Sequence, residues 1–191
     1  KEMKEIKEEI KKNKEMNLSK KIIDSDIIHN HEEIQFIINC LGKNNLIFIK
    51  LYQMSRDGDK EIFHKKCDHK GPTLCLFKIK GKDIRYGGFT SVSWDTNSNE
   101  KRDENAFIFS INNKKMFKSN NYNSSIFCRS DYGPFFGGNC STKSAELWYE
   151  GRNNCGFYNN RIYKDLNKEC TQGLNTFGLD ELEVFQVLNY E

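Results

Sequence analysis

Short apolar runs separated by turn-forming residues make up most of the chain from residue 22 onward. The runs at 46–52, 73–79 and 84–93 have the composition of strands, and residues 80–83 form the turn of a hairpin between the last two. The same pattern predicts further strands at 106–111, 126–129, 146–149 and 182–188. Many short strands with few helices predict an α+β fold that is mostly β, a two-sheet antiparallel β-sandwich flanked by a few helices.

A helix is predicted over residues 31–41, because its apolar residues recur at helical spacing, and a short amphipathic turn of helix is predicted at 63–68. Asn30 is suited to the N-cap position, with Glu33 as the partner of a capping box. Gly42 ends the helix as a left-handed residue would. By contrast, residues 95–105 are polar and without period, so a mobile loop is expected there.

Residues 1–21 differ from the rest because Lys and Glu dominate them. Met3, Ile6 and Ile10 form a narrow apolar stripe, which predicts a solvated, charged helix. Two interpretations stay open: the end of a coiled coil that begins upstream, or an exposed helix. We expect two units, this helix at 1–21 and a folded domain at 22–191. Because the chain begins at Lys1 rather than Met, we also expect a piece of a longer protein.

Charge and cysteine content limit the classes of function. The 191 residues include 30 Lys and Arg against 27 Asp and Glu, a net charge of +3. This balance argues against a nucleic-acid-binding face and a polybasic membrane anchor. No apolar run reaches the ~18 residues that cross a bilayer. The seven cysteines form no CxxC pair, which favours a reducing compartment and a cytoplasmic location.

Several motifs follow one another in a fixed order. They are LYQMSRDG at 51–58, FHKKCD at 63–68, GPTL at 71–74, YGGFT at 86–90 before Trp94, AFIFSI at 106–111, YGPFFGG at 132–138 before LWY at 147–149, and FGLDELEVF at 177–185. This order resembles the TLDc domain family over residues 22–188. The resemblance implies a two-sheet β-sandwich with few helices and no established enzymatic activity. It also implies a link to oxidative-stress resistance, and several members dock on the vacuolar-type proton ATPase.

Two functions are therefore considered. The resemblance implies a non-catalytic protein-binding domain without a cofactor, whose partner is the peripheral part of the vacuolar-type proton ATPase or a similar large assembly. The alternative is a structural or scaffold module of a filamentous or multi-subunit assembly, for example a cytoskeletal one, anchored by the N-terminal helix. A long upstream coiled coil would favour the scaffold.

Four residues have a spacing that is compatible with zinc: His64, Cys67, His69 and Cys75. Cys75, however, lies in an alternating strand and is expected to point inward, and His64 and Cys67 share a helical face that can pack on the sandwich. We therefore expect no metal. Ser55 lies close to Asp57, but no histidine is adjacent to act as its base.

A thiol mechanism would need an exposed cysteine of low pKa. Cys67, next to two lysines and His69, has the most electropositive sequence neighbourhood. Cys140, Cys155 and Cys170 lie in polar stretches and are expected to be exposed. No resolving partner is evident, so the sequence does not favour peroxidase-like chemistry.

Partner contacts are predicted at two places. Glu181 and Glu183 alternate with apolar residues, so both carboxylates should face away from the core and form either a solvated edge or a docking face for a basic partner. Met3, Ile6 and Ile10 are the other predicted contact. Cys75, Phe107 and Phe109 are predicted core residues, and the glycine pairs at 87–88 and 137–138 are interpreted as close sheet packing rather than a phosphate cradle.

Overall fold

The computed structural model describes residues 22–43, 45–138, 145–156, 163 and 176–189. The predicted N-terminal helix, with its apolar stripe at Met3, Ile6 and Ile10, lies outside the described residues.

Three helices and twelve strands form the described part of the chain. The helices are α1 (His31–Leu41), α2 (Met54–Asp57) and α3 (Lys60–Cys67), with one 3₁₀ turn at Tyr122–Ser124. None of the helices among the described residues is long and apolar enough to cross a membrane. The strands are β1 (Leu46–Gln53), β2 (Thr73–Ile79), β3 (Arg85–Thr90), β4 (Asn99–Lys101), β5 (Phe107–Ser110), β6 (Lys115–Lys118), β7 (Ile126–Cys128), β8 (Phe135–Gly137), β9 (Ala145–Gly151), β10 (Asn154–Gly156), β11 (Thr176–Phe177) and β12 (Leu179–Asn189).

The strands form two antiparallel sheets of six strands each. Sheet 1 has the order β1-β12-β2-β3-β5-β6, and sheet 2 has the order β11-β10-β9-β8-β7-β4. The last strand in the sequence, β12, therefore lies between the first two, β1 and β2, and pairs with both. This architecture confirms the predicted mostly-β, two-sheet antiparallel fold with few helices.

Helix α1 begins and ends where its sequence predicts. The Asn30 side chain accepts a hydrogen bond from the Glu33 amide at 3.0 Å. Gly42 adopts φ 65°, and its amide donates to carbonyls in the last turn. The predicted capping box is altered, because the Glu33 carboxylate accepts from the His29 amide at 2.7 Å rather than from Asn30.

Sheet 1 is buried on both faces, and the described residues form one large apolar core on each side of it, besides a smaller cluster of Phe127, Phe135 and Trp148. The inner core lies between the sheets and includes Cys75, Val184 and Leu182. The outer core lies between sheet 1 and an outer layer, which consists of residues 22–28 (the N-terminal cover) and α1. This core includes Phe109 and Phe185. The domain is thus a three-layer structure in which sheet 1 is the central layer.

The glycine pair in β3 allows close packing on both faces of sheet 1. A Cβ atom on Gly87 would lie 2.3 Å from the Phe109 ring, and one on Gly88 would lie 2.5 Å from the Phe136 ring. The two glycines therefore make room for one aromatic ring in each core. This confirms the interpretation of residues 87–88 as close packing.

The expectation of a mobile loop at 95–105 is wrong. This segment contains β4, which pairs with β7. It also contains Asp103, which is 3% exposed. The Asp103 carboxylate accepts hydrogen bonds from the Thr90 hydroxyl at 2.7 Å and from both the amide and the hydroxyl of Ser91. A buried carboxylate with several hydrogen-bond donors holds residues 95–105 in place, although their composition is polar.

We expect Phe109→Ala to lower the free energy of unfolding by about 3–5 kcal/mol, the usual cost of deleting a buried aromatic ring. Phe109 is 0% exposed and packs edge-on against Phe36, with ring centroids 6.0 Å apart. Urea denaturation measures the loss. Tyr122→Ala, at a side chain that is 43% exposed, is the control and should change the stability little. Equal stability of the Phe109 variant and the wild type would contradict the outer core.

Candidate functional site

The two carboxylates predicted as a partner face are not exposed. Glu183 is 0% exposed and Glu181 is 9% exposed. They do point away from the inner core, as the alternation with Leu182 and Val184 requires. That side of β12, however, is covered by residues 22–28, so the expected solvated edge is wrong. A strand pattern shows which face a side chain takes but not what lies over that face.

Glu183 is held by groups from two other segments. Its carboxylate accepts hydrogen bonds from the Ser25 hydroxyl at 2.5 Å and from the Asp26 amide at 3.0 Å. The Lys50 ammonium lies 3.1 Å away. Lys50 also lies over the Phe185 ring, 5.6 Å from its centroid. One buried carboxylate therefore joins the N-terminal cover, β1 and β12.

Burial raises the pKa of Glu183, because the charged form loses its hydration. The Asp26 amide, the Ser25 hydroxyl and Lys50 act in the opposite direction but do not cancel the effect of burial. Ser25 is only 4% exposed, so this serine–carboxylate pair is closed to a substrate. The arrangement is suited to fastening chain segments rather than to acid–base catalysis.

Glu181 fixes the start of α2. Its carboxylate accepts from the amide of Ser55 at 3.0 Å and lies 3.3 Å from the Gln53 side-chain amide. Gln53 also donates to the Asp26 carboxylate at 2.8 Å. The backbone amide of Ser55 therefore helps to position the turn. Among the described residues, no histidine is hydrogen-bonded to Ser55. The sequence interpretation of Ser55 as part of a turn is consistent with this geometry.

Asp57 is the centre of an adjoining ion-pair cluster. Arg56 and Lys66 each approach its carboxylate to 2.7 Å, and the Gln53 amide donates to it at 2.9 Å. These contacts, with the Arg56 hydrogen bond the largest, hold the pKa of Asp57 well below its ordinary value. Gly58 follows with φ 92°, which confirms the predicted turn.

His64 links α3 to the loop before β8. Its Nδ1 lies 2.9 Å from the Asp68 carboxylate, and its Nε2 lies 2.7 Å from the Tyr132 carbonyl oxygen. Burial lowers the pKa of His64, but Asp68 and the carbonyls of Tyr132 and Arg129 outweigh it, and the net shift is upward. Only the imidazolium can donate from both nitrogens to these two acceptors.

The four residues with zinc-like spacing do not converge. Cys67 and Cys75 are both 0% exposed and belong to the inner core, whereas His69 is exposed and His64 is committed to Asp68. Among the described residues, no three His, Cys, Asp or Glu side chains are grouped so that they would hold a metal ion.

The described cysteines are in settings that disfavour the thiolate. Burial raises the pKa of Cys67, Cys75 and Cys155, and it raises that of Cys40 to about 11. The expectation that Cys155 is exposed is wrong, since it is 0% exposed. Cys140 and Cys170 lie outside the described residues.

A groove of about 520 Å³ opens at one end of the outer core. The buried Phe89, Phe107 and Val187 line it, together with the exposed Lys43, Glu104 and Lys118. Apolar walls without a pair of neighbouring catalytic groups suit an apolar side chain better than a reaction.

The sequence was compared with known protein families and with curated proteins. The family model described as the TLDc domain matches residues 22–188. The chain belongs to the TLDc domain family. The comparison with curated proteins gives no match. The match runs from residue 22, at the start of the N-terminal cover, to residue 188 in β12, so the three-layer structure is the TLDc domain of this chain.

Sequence reasoning missed most of the groups that hold this TLDc domain together. Lys50 and Glu183 are 133 positions apart. Arg85 and Glu33, whose side chains meet at 2.8 Å in the outer core, are 52 apart. Charges within apolar runs, such as Lys50 in LIFIKLYQ, were the one local signal of such pairs.

We expect Lys50→Met to lower the free energy of unfolding at neutral pH by about 3–5 kcal/mol, because it leaves the Glu183 carboxylate buried without its cation. The pKa of Glu183 is already raised from 4.5, so the folded state takes up a proton more readily than the unfolded state. The loss should therefore be smallest below pH 4.5 and should grow as the pH rises.

Denaturant titrations at several pH values measure this loss. The double variant Lys50→Met/Glu183→Gln is the matched control, since it removes both charges and should recover part of the stability. A single variant as stable as the wild type at pH 7 would contradict the role of the pair.

The His64 contact should stabilise the TLDc domain most at low pH. Its pKa is raised above 6.5 in the folded state, so the added stability is fully present below pH 6.5 and is lost as the pH rises through the folded pKa. The excess stability of the wild type over His64→Gln should fall across this range. Asp68→Asn should reduce the same pH dependence, because only the carbonyls of Tyr132 and Arg129 then favour the imidazolium. A stability difference between the wild type and His64→Gln that is constant with pH would contradict the contact.

Proposed function

We propose that this TLDc domain is a non-catalytic protein-binding module. Membership of the TLDc family over residues 22–188 is the observation that carries the proposal. Its partner is the peripheral part of the vacuolar-type proton ATPase in the cytoplasm, and this docking links the domain to oxidative-stress resistance.

The settings of the reactive groups support binding over catalysis. Ser25 and Glu183 are buried together, and Asp57 is neutralised by two cations. His64 has both ring nitrogens committed to acceptors within the fold. These groups are used in internal contacts that a substrate would have to break first.

The cysteine settings also bear on how stress resistance would arise. A thiol that consumes peroxide must be accessible and easily deprotonated. Cys67, the strongest sequence candidate, is fully buried with a raised pKa. A contribution to stress resistance through binding and assembly therefore fits the described residues better than direct thiol chemistry.

The second candidate is a scaffold module of a filamentous or multi-subunit assembly. The narrow stripe of Met3, Ile6 and Ile10 favours it, because an apolar seam on a charged segment is typical of contact with another helix. In this case the segment 1–21 supplies the anchor, and the TLDc domain is the element that is positioned.

Affinity purification of the chain from its native lysate distinguishes the two candidates. Enrichment of peripheral subunits of the vacuolar-type proton ATPase, identified by mass spectrometry, is the expected result. Enrichment of filament proteins without ATPase subunits would favour the scaffold. A hydrolytic or peroxidase activity that is lost in Ser55→Ala or Cys67→Ala, with folding intact, would contradict both.

Removal of residues 1–21 should leave the melting temperature unchanged and weaken co-purification with the partner. The stripe is too narrow to form part of a core, so its loss should not expose apolar surface in the domain. Thermal melts and the same affinity purification, on residues 22–191 and on the full chain, make the comparison. A truncated chain that unfolds would show that the segment belongs to the core of the domain.

A further inference from the structure

Among the strands that the structure describes, β1 forms one edge of sheet 1. In the described part of the chain, β12 is the strand that pairs with it, through the register Ile47↔Leu188 and Ile49↔Gln186. The opposite edge of β1 carries the main-chain donors and acceptors that a strand uses to pair. An edge of this kind is a template for another strand.

The same edge carries an exposed apolar row. Four large apolar side chains are exposed among the described residues, and three of them lie here: Ile47 at 42%, Ile49 at 44% and Leu188 at 37%. Ile47 and Ile49 are two residues apart, and Leu188 lies directly opposite Ile47, so all three are on one face of the sheet. We refer to Ile47, Ile49 and Leu188 as the β1 row.

Features that usually protect an edge strand are weak here. Proline is absent from Leu46–Gln53, and the bulge lies between Lys50 and Tyr52, beyond the β1 row. Lys50 is the one charged residue in the strand, and its ammonium is turned onto Glu183, with 13% of the side chain exposed. A lysine that would repel an incoming strand is thus withdrawn from the edge.

We propose that β1 joins two copies of this chain, which pair their sheets edge to edge and antiparallel about a two-fold axis through Phe48. Opposed residues of antiparallel strands share a face. With this axis, Ile47 of one copy lies opposite Ile49 of the second, and Ile49 opposite Ile47. Four isoleucines then form one continuous row, which the Leu188 of each copy extends.

Charge at the two ends of β1 favours the same antiparallel arrangement. Lys43 precedes the start of the strand, and Asp26 is bonded to Gln53 at its end. Both side chains are exposed, and neither has an ion-pair partner among the described residues. Two antiparallel copies bring each Lys43 toward the Asp26 end of the other. A parallel strand of this chain would place like ends together instead.

The pairing is expected to be weak. One strand edge and a short apolar row bury less than the roughly 1,200 Å² of a stable interface. Dimer formation should therefore depend on protein concentration, and sedimentation velocity over a wide concentration range is the measurement.

Ile49→Lys and Ile47→Lys should each weaken the dimer at least tenfold. Both side chains are exposed, so the melting temperature of each variant should stay near that of the wild type, which a thermal melt checks. Tyr122→Lys is the matched control, because Tyr122 is 43% exposed on the 3₁₀ turn and should leave dimerisation unchanged. A wild-type chain that stays monomeric at the highest soluble concentration would overturn the proposal, even if β1 captured a foreign peptide.

Charge reversal tests the orientation. Lys43→Glu and Asp26→Lys should each weaken the dimer, and the double variant Lys43→Glu/Asp26→Lys should restore it, because each contact again joins opposite charges. The absence of any rescue would contradict the antiparallel arrangement.

Disulfide trapping tests the register. The axis through Phe48 places position 47 of one copy opposite position 49 of the other, at a Cα separation that suits a disulfide. An equimolar mixture of Ile47→Cys and Ile49→Cys chains should cross-link under mild oxidation well above the level of either variant alone, with the wild-type chain as the blank. Equal cross-linking of one variant by itself would overturn this register.

Discussion

Glu183 is a carboxylate without exposed surface in the middle of a β-strand, and this burial is tolerable only while its hydrogen bonds are complete. Ser25 and Asp26 supply two of them, and Lys50 supplies the opposite charge. Strand β12, which carries Glu183, is therefore stable only when residues 22–28 lie over it. In return, that cover closes the outer core, so the polar contact and the apolar burial depend on each other.

A second buried ion pair, between Arg85 and Glu33, fastens the N-terminal cover and α1 to β3. Arg85 in β3 donates to the Glu33 carboxylate at 2.8 Å and to the Ile27 carbonyl at 3.1 Å, so α1 and the cover share one guanidinium. Glu33 also accepts from the amide of His29 before the helix. The polar groups that most resemble a reactive site thus hold the outer layer in place. This agrees with a TLDc domain that acts by presenting a surface.

Local signals predicted the elements, and long-range contacts decided the site. Asn30 and Gly42 delimit α1 because capping is a property of adjacent residues. The apolar runs predicted seven of the twelve described strands, namely β1, β2, β3, β5, β7, β9 and β12. Strand β4, Asn99–Lys101, was missed because its pairing with β7 leaves no apolar alternation in its own sequence. The exposure of Glu183 was misjudged because the residues that cover it lie 157 and 158 positions away.

Amide hydrogen exchange at the N-terminal cover tests the central claim most directly. The amide of Asp26 donates to Glu183, and those of Ile27 and Ile28 donate to the Ser25 hydroxyl. If the cover is an integral layer, these three amides should open with free energies close to those of β2. Exchange at the rate of an unstructured peptide, with β2 still protected, would show that the cover is dispensable and would contradict the account.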